Sequence, residues 1–97
     1  FAVQLHTAAG DVVYFDDPGC YFEYAAREHP AEHAVYFHEL RGDRWLRRAE
    51  VAFVRVDRSP MAHHLGAVAA GTAGAISFEA ARDQVLRDPP IPAPEGP

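Results

Sequence analysis

Apolar and polar positions alternate through Phe1-Ala-Val-Gln-Leu-His6, and a second apolar run, Val12 to Phe15, follows the turn chemistry of Ala8-Ala-Gly-Asp11. A period of two on both sides of a Gly-containing turn predicts a β-hairpin. The pattern changes at Asp16-Asp17-Pro18. An acidic side chain can accept from the first free N–H groups of a helix, and Pro loses nothing at the first helical position, where its missing N–H has no partner anyway. With Tyr21, Phe22, Tyr24, Ala25 and Ala26 supplying an apolar face, a helix is predicted from about 18 to 28, stopped by His29-Pro30.

Ala34 to Leu40 reads as a strand, Arg41-Gly42-Asp43 as a polar turn, and Ala52 to Val56 as a further strand with Phe53 and Val54 pointing to opposite faces. After Ser59-Pro60, the small apolar segment Leu65 to Ala70 leads into a turn at Gly71 to Gly74. Ala75-Ile76 is then a short strand, and Ser77 is placed to cap a second helix reaching about Arg87, with Ala81, Val85 and Leu86 on its apolar side. A weak internal echo runs through the chain. Gly10-Asp-Val-Val-Tyr-Phe15-Asp16 enters the first helix, and Gly74-Ala-Ile-Ser-Phe78-Glu79 enters the second. The expected fold is therefore α+β, made of two ββα-like units with both helices on one face of a small antiparallel or mixed sheet. This domain spans residues 1–87, and the tail 88–97, with five Pro in ten residues, is expected to be extended and flexible.

Composition narrows the function classes. With 97 residues and 48% apolar side chains, the chain is one small domain able to bury a modest core. Fourteen acidic residues against nine Arg and no Lys give a net charge of −5. No clustered basic footprint exists beyond Arg41, Arg44, Arg47 and Arg48, so nucleic acid is not an expected partner. No apolar run approaches the roughly 20 residues that cross a bilayer, and no signal-like segment stands at the start. The opening residue is Phe1 and not Met, which suggests a trimmed product and leaves room for an export signal removed upstream.

Several residues invite a chemical reading. Met61, His63 and His64 put a thioether and two imidazoles into one predicted loop, a ligand set that soft monovalent copper prefers over carboxylates. An extended segment would place Met61 with His63, and a helical turn would place it with His64. The ordinary alternative is that Met61 fills a gap in the core and the histidines are solvated. Cys20 falls in the first turn of the predicted helix, where the dipole favours a thiolate, although Asp16 and Asp17 oppose it. It is a core thiol, a soft metal ligand or a nucleophile. No Ser or Cys has a base and an orienting acid at catalytic spacing, so no covalent catalysis is expected. His29-Pro30-Ala31-Glu32-His33 spells an inverted zinc-protease motif, but Pro30 removes the helix that the motif requires. Trp45 with Arg44, Arg47 and Arg48 reads either as a partner-binding patch, centred on Trp45, Arg47 and Arg48, or as a buried indole with arginines lying around it.

Taken in order, Gly10 to Cys20 opening a helix, Trp45 followed by Ala49 to Val54, Ser59-Pro60-Met61 with Gly66-Ala67 after it, and Gly74 to Ala81 running into the last helix resemble the NosL-type accessory proteins of nitrous oxide reductase. The resemblance covers Phe1 to about Leu86. It implies an exported, often lipid-anchored copper(I) carrier of the cell envelope, built from repeated ββα-like units, that helps to supply the copper centres of nitrous oxide reductase. It also implies that Met61, in the Ser-Pro-Met motif, is a copper ligand. The family's second motif, a cysteine and methionine near the N-terminus, has no counterpart in this chain. His63 or His64, with Cys20 or His6, is then expected to complete a low-coordinate copper(I) site. No enzyme activity is expected, and the competing expectation is a metal-free interaction domain using the Trp45 and arginine surface.

Overall fold

The computed structural model describes residues 1–61 and 63–87. Seven strands and two helices follow in the order β1 (Val3–Thr7), β2 (Val12–Phe15), α1 (Pro18–Glu28), β3 (Glu32–His38), β4 (Trp45–Arg47), β5 (Val51–Arg55), β6 (Leu65–Ala69), β7 (Ile76–Ser77) and α2 (Phe78–Arg87). One turn of 3₁₀ helix, Arg48–Glu50, separates β4 from β5. The α+β expectation is met. The strands nevertheless divide into two antiparallel sheets, β2-β1-β3-β4 and β6-β5-β7, where one sheet was expected. A single parallel bridge, Glu39 to Ala67, joins them, and Leu40 N–H donates to the Ala67 carbonyl at 2.7 Å beside it. The division follows from the turn at Arg41–Asp43, which uses Gly42 at φ +130° to return the chain as β4 along β3 and so delivers β5 to a separate sheet.

Both helices start where the caps were expected. Asp17, extended at φ −154° and ψ 135°, takes the Gly19 N–H on its side chain, and Pro18 opens α1. α1 ends at His29 in the left-handed conformation (φ 47°), whose N–H closes on the Ala25 carbonyl, and Pro30 forbids continuation. At α2 the Ser77 hydroxyl accepts the Ala80 N–H at 3.1 Å. The unexpected element is β4. Its three residues are too few to announce a period, and pairing with β3 from Tyr36 to His38 makes them a strand.

Alternation along β1 and β3 sends Val3, Leu5, Val35 and Phe37 inward, against the helices. Tyr21 and Phe22 of α1, Phe37 of β3, Phe53 of β5 and Phe78 of α2 meet there as one cluster of rings. The Phe22–Phe78 and Phe37–Phe53 pairs stand edge to face at centroid separations of 5.1 and 5.2 Å. Such pairs add about 0.5–1.5 kcal/mol each beyond their burial. Because the rings come from both sheets and both helices, the two sheets share one core. The tail expected to be extended over 88–97 lies outside the described residues.

Candidate functional site

The loop between β5 and β6 carries Ser59-Pro60-Met61 and His63-His64, and it docks on the start of α1. Its anchor is Asp17, which is fully buried. One carboxylate oxygen, Oδ1, accepts the Gly19 N–H at 3.1 Å, and the other, Oδ2, accepts the Met61 N–H at 3.0 Å. The same residue therefore caps its own helix and holds a loop 44 positions away in the chain. Both donors are charge-assisted partners of a carboxylate, the stronger class of hydrogen bond. Met61 itself projects outward and is 53% exposed. Its side chain does not fill the core, so the ordinary alternative for this residue is not realised.

The two histidines do different things. His63 is turned onto α1, with a side chain only 3% exposed and Nε2–H donating to Glu23 Oε1 at 3.1 Å. Its Cγ–Nδ1 edge lies against the Cα of Gly19, so close that any Cβ at that position would collide with the ring. Gly19 is thus required by packing, since the helix backbone and not a side chain is the surface on which the imidazole rests. His64 makes its contacts with Ser59 and Val56 instead and stands at φ +61°. Its N–H donates to Ser59 Oγ at 2.8 Å, and its Nδ1 lies 3.2 Å from the Val56 carbonyl. A carbonyl only accepts, so Nδ1 carries the proton of this contact, the tautomer whose lone pair is on Nε2.

The remaining candidates do not all converge here. Cys20 follows Gly19 directly and is half-buried in the first turn of α1. Burial, with Asp17, Glu23 and Asp16 nearby, pushes its thiol up to about 11, against the pull of the helix dipole. The group is a protonated thiol near neutral pH, not an activated nucleophile. His6 is placed elsewhere. It lies on the outer face of the four-stranded sheet, beside Gln4 and edge-on to Tyr36 at 5.1 Å, whereas its neighbour Leu5 is buried on the helix side. His6 therefore does not join Met61. Among the described residues, no group of three or more His, Cys, Asp or Glu side chains stands together as a metal centre.

The expected Trp45, Arg47 and Arg48 patch also divides. Trp45 and Arg47 face outward on β4 with Leu46 buried between them, and the indole is 39% exposed, so the buried-indole reading is not realised. Arg48 begins the 3₁₀ turn and lies over the Phe78 ring at 4.2 Å on the helix side. There it borders a cleft between the helices in which the Tyr21 hydroxyl donates to both oxygens of Glu32, at 2.9 and 2.8 Å. Burial and Glu32 push the Tyr21 phenol well above its usual range. The sequence marked Asp17 as a helix cap and Glu32 only as a letter of the His29–His33 motif; the hold of Asp17 on Met61 and of Glu32 on Tyr21 was not announced, because each partner is distant along the chain.

No family model, no curated protein and no solved structure matches this chain.

Proposed function

We propose that this protein is a copper(I) carrier of the cell envelope whose ligands are the Met61 thioether and the His64 imidazole. The observation that carries this reading is the use of a fully buried carboxylate to fix the backbone of an exposed methionine. An exposed thioether gains little from being held in place unless its sulfur has a partner to meet. The donor set fits the ion, since thioether and imidazole are soft or borderline ligands and copper(I) accepts low coordination numbers. His64 is favoured over His63 because a ring that donates Nδ1–H to a backbone carbonyl presents Nε2 ready to ligate, the usual arrangement at metal-bound histidines. His63 has its Nε2 engaged by Glu23 and holds the loop in place. The resemblance of Ser59-Pro60-Met61 and its flanking segments to NosL-type proteins supports the same ion and names nitrous oxide reductase as the acceptor class. A carrier needs no turnover, so no catalytic residue is assigned.

The test is an anaerobic competition titration against a chromogenic copper(I) chelator. The unaltered chain is expected to take one equivalent, with Met61→Leu and His64→Asn each weakening binding about tenfold or more. Leu keeps the volume and apolarity of Met, and Asn tolerates the left-handed backbone at position 64. His63→Gln is expected to change affinity far less. Failure of the unaltered chain to compete, or equal affinity in the Met61→Leu variant, overturns the reading.

A further inference from the structure

Among the described residues no helix covers the outer face of the four-stranded sheet, because α1 and α2 both pack on the opposite side. An antiparallel sheet with one wet face ordinarily shows polar side chains there. This one shows rings. The register aligns Tyr14, Gln4, Tyr36 and Arg47 across β2, β1, β3 and β4, and the adjacent ranks hold His6 beside Val12, and Trp45 beside His38. Tyr14 is 70% exposed, and Trp45 and Val12 are exposed as well. The rings support one another. His38 stands edge-on to Trp45 at 5.0 Å, and the Arg47 guanidinium lies over Tyr36 at 6.0 Å.

Charge makes the face selective. The chain holds 14 acidic residues, yet none occupies these ranks. Acids stand at its borders: Asp11 precedes Val12, Glu39 follows His38, and Glu50 Oε1 accepts the Arg47 backbone N–H at 3.1 Å. Among the residues of these ranks Arg47 carries the permanent charge, and His6 and His38 add to the same sign when protonated. Rings and arginine with carboxylates depleted is the composition of a protein interface centre.

We infer that this sheet face docks a protein segment that lays apolar or aromatic side chains on Tyr14, Tyr36 and Trp45 and presents a carboxylate to Arg47. A second copy of the chain fits less well, since two such faces bring like charges together and neither holds an acid to answer Arg47. Single-stranded nucleic acid would find stacking rings, but one arginine on a protein of net charge −5 does little to neutralise its phosphates. This inference is independent of copper.

The experiment is an amide-shift titration of the isotope-labelled full chain at low ionic strength, using two short synthetic peptides. One alternates glutamate with aromatic residues, and the other has lysine in place of each glutamate. The acidic peptide is expected to perturb Gln4, His6, Tyr14, Tyr36, Trp45 and Arg47 and to bind about fivefold or more tightly than the basic one, despite the net negative charge of the protein. Arg47→Glu, at an exposed position, is expected to invert that preference, and Trp45→Ala to weaken both peptides. Equal binding of the two peptides, no binding, or perturbation elsewhere overturns the inference. Tighter binding of an oligothymidylate at the same residues assigns the face to nucleic acid instead, and a concentration-dependent dimer lost in Trp45→Ala assigns it to a second copy.

Discussion

The two strand-to-helix junctions of this protein share a weak sequence echo and end with different reach. In each, a short strand runs through a capping side chain into a helix, β2 through Asp17 into α1 and β7 through Ser77 into α2. The Ser77 hydroxyl is exposed and is used within its own helix. Asp17 has two acceptor oxygens and is buried, and the second oxygen is used on Met61. A hydroxyl can end a helix neatly, but a carboxylate can end a helix and fasten another segment to it. The junction with the second acceptor is the one beside the proposed ligand.

Removing that second connection should produce the largest effect. Asp17→Ala is expected to cost about 3 kcal/mol in urea unfolding, from the lost cap together with the stranded Met61 N–H. Asp17→Asn sharpens the comparison, because an amide oxygen still caps α1 while the amide nitrogen opposes a donor. Hydrogen exchange at Met61 should then accelerate with the helix intact. Gly19→Ala comes next, at about 2 kcal/mol, since the new methyl displaces the His63 ring and the loss outweighs the better helix propensity of Ala. Modification of His63 by an imidazole-selective acylating reagent should rise in that variant. Ser77→Ala is expected to cost only about 1 kcal/mol and to leave exchange at Met61 unchanged. A Ser77→Ala loss as large as that of Asp17→Ala would erase the distinction between the junctions.

Both helix starts were legible because capping is local. Asp17 before Pro18 and Ser77 before Phe78 carry their meaning within four residues, and His29-Pro30 marks the stop of α1 just as directly. β4 was not legible, since Trp45–Arg47 becomes a strand only through β3. The division into two sheets depends on the same return of the chain. At the candidate site, the sequence brought Met61 and the two histidines to notice but could not separate His63 from His64. That distinction rests on Glu23, Gly19 and Val56, which lie on α1 and at the end of β5. His6 shared the chemistry of a ligand, but strand parity put it on the other side of a sheet.

Phe78 lies at the start of α2, yet it touches rings contributed by α1, β3 and β5. During synthesis, every other member of that cluster leaves the ribosome before it. Until α2 arrives, Phe22, Phe37 and Phe53 have no cover on that side, and the nascent chain carries an oily surface of the kind that holding chaperones recognise. Closing of the core therefore waits for the last helix, and a protease that trims α2 would leave Phe22, Phe37 and Phe53 uncovered on that side.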